Sequence, residues 1–328
     1  MKDLFEEIRE LYNWFIQFVT DDIWHLNLQD FSKAKTQLIK YLKVAVITVK
    51  EAGINHLGLY AFSLSFFTTM AMVPFAAVAF AVTEGFGLKT TLQNLLLEYF
   101  SDNREIVQLI IGFAENIVTI SQQDAFGIIS LLFFIGTVVW LILKVEKCFN
   151  VIWKAERGRS LAKRFLYYLG ILIVAPLVIT MFLSVTLVFT STMNSIGFDF
   201  QLFMYAGFLI RWLAFYGIIA LFFTILYKYV PNVKVKFSAA FFAALISAVF
   251  FVGWQYIYME TQLLVSRLNT VYGAFAAIPL FLIWMNVSWT IILVGAEISH
   301  AYQYQEQYTS EDDYEKLEKE VIEKINLE

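Results

Sequence analysis

"FLIRWLAFYGIIALFF", Phe208–Phe223, is an apolar run with one charged side chain, Arg211, set inside it. The run extends on both sides to Leu202–Tyr227, well past the roughly 18 apolar residues that mark a segment able to cross a bilayer. Hydrocarbon offers the backbone no hydrogen-bond partners, so such a segment is helical. The reading of this stretch therefore sets the solvent for the whole chain.

Five more stretches have the same character: Leu57–Val82, Ala125–Leu143, Phe165–Thr190, Phe237–Tyr258 and Ala276–Ala301. Each is long enough to cross about 30 Å at 1.5 Å per residue. The runs are continuous rather than alternating, which excludes a β-barrel. The composition agrees. Of 328 residues, 59% are hydrophobic and only 16% charged, against about a quarter charged in soluble domains. The expected fold is all-α, a polytopic membrane protein with six transmembrane helices and amphipathic interfacial helices. Residues 1–56 are expected to form cytoplasmic amphipathic helices, 57–301 the six-helix domain and 302–328 an acidic cytoplasmic tail helix.

Lysines and arginines in the connections orient the chain. Seven precede the first span, two follow it, seven lie between spans two and three and none between three and four. Three then separate spans four and five, one separates five and six, and three lie in the tail. Rich and poor connections alternate without a break, which predicts that both termini are cytoplasmic. The N-terminus "MKDLFEEIRELYNW" is acidic and lacks a continuous apolar core, unlike a cleaved signal peptide. Cys148 is the only cysteine, so no internal disulfide is expected.

Between the spans, the first 27 residues have helical apolar spacing. Lys33–Lys50 reads as a basic amphipathic helix, either in the headgroup layer or packed under the bundle. The connection after span one carries two apolar stripes: Leu88, Leu92, Leu95, Leu96, Tyr99 and Phe100, then Ile106, Ile110, Phe113, Ile117 and Ile120. "DNRE", Asp102–Glu105, resembles a capping box between them, so a helical hairpin is predicted. Met259–Phe275 is amphipathic, with a helix stop expected at Tyr272–Gly273. The tail from Ser310 predicts a short soluble helix.

Chemistry-bearing motifs are scarce. "GFGLKT", Gly85–Thr90, lacks the spacing of a phosphate loop. His25, His56 and His300 are too scattered for a metal site, and no nucleophile–base pair stands out. No catalytic residues, metal or cofactor are expected, and the reading is not that of an enzyme. A net charge of −4 gives no general attraction to nucleic acid. The expected partners are membrane lipids, and a homo-oligomer is left open.

What remains are polar residues inside the spans. Ionised groups there are costly and usually face protein or water. Arg211 lies about 14 Å into span four, near mid-depth. Thr68 and Thr69 in span one and Asn286 in span six lie at similar depth. These residues and Ser65 make up a candidate substrate-binding set. In one reading they line a polar chamber where Arg211 holds an anionic group. In the other the hydroxyls join helices and Arg211 bonds to carbonyls. Glu297, about 32 Å along span six, is a polar residue at the cytoplasmic edge. Trp254 and Gln255 read as anchors toward the outer interface.

The chain resembles the YihY/virulence factor BrkB family of bacterial inner-membrane proteins. The resemblance rests on "AFSLSFFTTMAMVPF" (Ala61–Phe75), "FNVIWKAERGRS" (Phe149–Ser160), "YKYVPNVKV" (Tyr227–Val235) and "VYGAFAAIPLFLIWMNVSWTIILVGAEISHA" (Val271–Ala301). It covers roughly residues 35–303. It implies six helices, the bacterial cytoplasmic membrane and a role touching the cell envelope. Some relatives are tied to lipid or lipopolysaccharide export, others to serum resistance, and a ribonuclease label was once attached to the family. No settled catalytic residues carry over. The favoured expectation is a transporter moving a lipid or other amphiphilic, anionic substrate between leaflets. The alternative is a non-transporting envelope scaffold, with a ribonuclease third.

Overall fold

The computed structural model describes residues 9, 18, 23–26, 31–99, 104–123, 125–155, 164, 166–170, 172–174, 176–177, 180, 184, 200–266 and 270–308. Side chains are described over the same residues except 99, 200–212, 214, 262–266, 270–278 and part of 105–131. Among the described residues all regular structure is helical, as the apolar runs require.

A helix α1, Lys33–Ile54, leads into α2, Leu57–Gly85. A short pair follows, α3 at Lys89–Tyr99 and α4 at Arg104–Gln123. Then come α5, Ala125–Ile152; α6, Phe200–Tyr229; α7, Phe237–Ser266; and α8, Thr270–Tyr304. Five of the six expected spans fall within α2, α5, α6, α7 and α8. The sixth, Phe165–Thr190, is described only at isolated helical positions. Among the described residues three stretches are long and apolar enough to cross a membrane: Leu57–Gly85, Phe237–Thr261 and Pro279–Tyr304. Phe215–Tyr229 is a shorter apolar helix of the same kind.

The helices outrun the apolar windows. α5 continues to Ile152, past the apolar edge at Leu143, because Leu141–Trp153 ("LILKVEKCFNVIW") keeps Val145, Cys148, Phe149 and Ile152 on a buried or half-buried face. α8 is one helix through Tyr272–Gly273, so the helix stop expected there is corrected. Glycine costs about 1 kcal/mol in a helix interior. That cost is small beside the cooperativity of a helix already propagating on both sides, so the helix continues. The Lys89–Gln123 hairpin forms as a helix pair; of the second expected stripe only the Phe113 side chain is among the described residues. Leu92, Leu95 and Ile111 are buried, whereas Phe113 is exposed. Glu115 accepts from Gln93 Nε2 at 2.6 Å, which joins α4 to α3. Asp102 and Asn103 of the expected capping box, and the expected 310–328 tail helix, lie outside the described residues.

α8 is the hub, packing against α1, α2, α5, α6 and α7. The main core lies where α2, α5, α6, α7 and α8 meet. It includes Ala61, Leu64, Phe149, Phe223, Ala240, Ala244, Leu293 and Ala296. Small residues on α7 let the helix backbones approach closely. One close approach is at Gly295 of α8, where an added Cβ would overlap the hydroxyls of Tyr227 from α6 and Ser247 from α7. Outward, Leu59, Phe62, Met70, Leu132, Phe133, Leu221, Phe250 and Ile283 are exposed. That is the surface expected of helices whose outer solvent is hydrocarbon.

One end of the bundle gathers the finish of α1, the start of α2, the finishes of α5, α6 and α8, and the start of α7. Asn232 N–H donates to Asn150 Oδ1 at 2.8 Å, and Lys236 N–H to Gln303 Oε1 at 2.8 Å. Lys40 Nζ donates to Glu306 Oε1 at 2.7 Å. This is the basic end.

Candidate functional site

Three glutamates from three different helices are buried at the basic end. A carboxyl group taken out of water is costly unless donors or cations meet it, so their partners define the site. On α8, Glu297 is 0% exposed, with Asn55 Nδ2 donating to its Oε2 at 3.1 Å and His300 Nδ1 at 3.4 Å from its Oε1. Asn55 is placed by the corner it caps: α1 ends at Ile54, and His56 takes a left-handed φ of 51° before α2 begins. The ring of Trp153, at the end of α5, stands edge-on to His300 at 5.3 Å.

Glu51, on the buried face of α1 with Val44, Ile47 and Thr48, lies 3.1 Å from Lys154 Nζ. Lys154 stands just past α5 with φ of 48°. Lys154 N–H donates to Val151 O at 3.0 Å and Ala155 N–H to Asn150 O at 2.9 Å, the two bonds of a Schellman helix end. Glycine usually occupies that position, because a side chain there costs on the order of 1–2 kcal/mol. This chain keeps a lysine, whose ammonium reaches a buried carboxyl.

Glu146, on α5, is 1% exposed. Arg164 Nε lies 3.3 Å from its Oε2, and the Tyr168 hydroxyl donates to the same oxygen.

Lys154 and Arg164 also face outward, into a cavity of about 600 Å³. Its walls are Trp140, Leu143, Lys144, Lys147, Asn150, Val151, Lys154, Ala155 and Arg164. Four cations thus line one cleft, while its apolar side continues up α5 through Trp140 to the exposed Phe133 and Leu132. Lys144 Nζ sits over the rings of Phe67 and Trp140, at 5.3 and 5.4 Å, which favours a cation at that level. Cys148, behind this wall, is buried, and burial pushes its thiol up to about 12 although Lys147 and Lys144 pull it down. The arrangement can hold an anionic group against paired cations, with an apolar tail lying outside. A second cleft, of about 650 Å³, lies between α1 and the end of α8 and includes Lys33, Lys40, Tyr41, Tyr302 and Glu306.

The residues expected to line a mid-depth chamber are placed differently from one another. Ser65 Oγ donates to Phe62 O, Thr68 Oγ1 to Leu64 O and Thr69 Oγ1 to Ser65 O, all within α2. Thr68 Oγ1 also accepts from Trp289 Nε1 at 3.0 Å, tying α2 to α8. Asn286 is half-buried on α8, and its carbonyl accepts from Thr290 Oγ1. Neither cleft above is lined by these residues. Arg211 lies within α6, and its side chain is outside the described residues. Trp254 and Gln255 are engaged between helices, with Trp254 Nε1 donating to Trp284 O and Trp284 Nε1 to Gln255 Oε1.

Glu51, Glu146, Lys144, Lys147, Lys154 and Arg164 escaped the reading as site residues. The signal was present in "KVEK", Lys144–Lys147, where a carboxylate sits among cations at the edge of an apolar run.

Long apolar helices packed around α8, converging on a polar end with braced cations, define an all-helical membrane protein. The chain belongs to the Virulence factor BrkB family, whose profile matches residues 48–320. It is similar to a UPF0761 membrane protein of Paraburkholderia xenovorans, 31% identical over 281 residues, covering 82% of this chain and 62% of that one. A UPF0761 membrane protein of Albidiferax ferrireducens is 32% identical over 259 residues, covering 75% of this chain and 58% of its own. One from Actinobacillus pleuropneumoniae is 27% identical over 264 residues, covering 77% and 91%. The chain thus spans about 60% of the length of the first two relatives. No solved structure matches it.

Proposed function

We propose that this protein moves an anionic amphiphile, a membrane lipid, between the leaflets of the bacterial inner membrane. The observation that carries the reading is the cleft lined by Lys144, Lys147, Lys154 and Arg164 beside the apolar Trp140 and Leu143. A phosphate or carboxylate head group meets cations there, while its chains stay on the exposed apolar face of α5.

In this reading six helices span the membrane and both termini lie in the cytoplasm. The alternation of basic connections supports that orientation and makes the basic end the cytoplasmic one. Arg211, near mid-depth in α6, is the next station for the anion. The protein carries out no covalent chemistry on its cargo and has no affinity for nucleic acid.

The test is bleaching of a fluorescent phosphatidylglycerol in vesicles containing the purified protein. Dithionite reaches only the outer leaflet, so protein-dependent flux appears as loss of the protected fraction. Lys147→Gln/Lys154→Gln and Arg211→Gln are each expected to slow the flux at least tenfold while the protein elutes as the parent does. Flux unchanged in both variants refutes the reading. Flux absent from the parent, with function lost on deleting residues 1–30 or 305–328, favours an envelope scaffold instead.

A further inference from the structure

We propose that capture of an anion in the basic cleft is coupled to proton uptake by Glu51 and Glu146. The inference rests on the reading of the cleft given above and adds the coupling ion. Two of the four cations in the cleft wall serve twice. Lys154 lines the cleft and lies 3.1 Å from Glu51; Arg164 lines it and lies 3.3 Å from Glu146. Both carboxyl groups are almost wholly buried, with side chains 5% and 1% exposed.

A cation drawn toward an incoming anion leaves its glutamate. A buried carboxylate without its cation is strongly disfavoured, and the least costly remedy is to bind a proton. One O–H bond forms on the carboxyl as one O–H bond of a hydronium ion in cytoplasmic water breaks; no other covalent bond changes, and the proton returns to water when the anion leaves. A monoanion and one proton therefore enter together as a neutral load.

The neighbouring groups are consistent with this division. Around Glu146 stand Arg164 and the Tyr168 hydroxyl, with Lys144 and Lys147 on the same helix. Around Glu51 stands Lys154. At the same end α8 brings Glu297, His300 and Tyr304, and the start of α2 brings His56 and Tyr60. Glu297 has its own partners, Asn55 and His300, neither of which lines the cleft. It is therefore not displaced by the anion. The left-handed backbone of Lys154 is the second mark of the device. Strain of that kind is kept where the side chain is needed.

The test uses the full chain in detergent micelles and two probes, dihexanoyl phosphatidylglycerol and dimethyl phosphate. Both are diesters whose single negative charge does not titrate between pH 6 and 8, and the pair separates a lipid source from a free phosphate source. Titration calorimetry in two buffers of different ionisation enthalpy counts protons. Uptake on the order of one proton per anion is expected, so affinity rises by up to about tenfold as pH falls by one unit. Glu51→Gln and Glu146→Gln should each reduce the uptake, and the double variant should bind without pH dependence. Should the double variant aggregate, a carboxylic-acid C=O band appearing in the infrared spectrum of the parent on binding supports the proposal, and its absence overturns it. Binding without proton uptake overturns the coupling alone, as does uptake unchanged in the double variant. Failure of both probes to bind overturns the cleft reading as well.

Discussion

A methyl group added at Gly295 tests the packing that holds the basic end together. Gly295→Ala sets a Cβ where the Tyr227 and Ser247 hydroxyls already sit. Ser247 can change rotamer. Tyr227 cannot readily move, since its ring is fully buried and lies 5.8 Å from Phe223 and 6.3 Å from Phe149. Overpacking of this kind costs about 3 kcal/mol, the upper end of its usual range, when the neighbour is fixed. Replacing glycine by alanine in a helix returns about 1 kcal/mol. The expected net loss is therefore about 2 kcal/mol, roughly a thirtyfold change in the folding equilibrium. Heating detergent-solubilised protein and measuring the monodisperse fraction by size exclusion should show a midpoint several degrees lower. Gly295→Val should fall further. Adding Tyr227→Phe and Ser247→Ala to Gly295→Ala removes both overlapping oxygens, so the triple variant should lose less than the sum of its parts. A Gly295→Ala protein as heat-resistant as the parent, or strictly additive losses, would refute the packing argument.

Three further outcomes are expected. Asn55→Ala leaves Glu297 Oε2 without its donor in a fully buried site, at a cost of about 1–3 kcal/mol by thermal unfolding in detergent, whereas Asn55→Gln should recover part of it. Trp289→Phe and Thr68→Val remove the same interhelical bond, so a double-mutant cycle should give a coupling of about 0.6–1.7 kcal/mol. The Cys148 thiol, pushed up to about 12 by burial, holds about a thousandfold less thiolate at pH 7.5 than an ordinary thiol, so maleimide should label folded protein slowly and denatured protein quickly. The Cys148 rate should climb with pH well beyond 9, the sign expected when burial disfavours the charged form.

Much of this protein can be read along one dimension. A run such as Leu57–Val82 must be helical in hydrocarbon whatever it touches, because each backbone group bonds four residues away within the run. Helix ends were less legible. α5 runs on to Ile152 because its buried face outweighs the local signal of charge, and α8 passes through Gly273, where a single glycine does not end the helix.

The grouping of Glu51, Glu146 and Glu297 at one end is a product of tertiary structure. These residues lie on α1, α5 and α8, separated by about a hundred residues or more in the chain. Hydropathy counts Lys154 and Arg164 only as part of a basic connection. Packing makes them the cations of buried carboxyl groups and the wall of a cleft. Helix formation obeys local hydrogen bonding and the polarity of the solvent, both written in neighbouring residues. Which charges meet depends on which helix faces touch, and that is decided by the fit of side chains across the whole bundle.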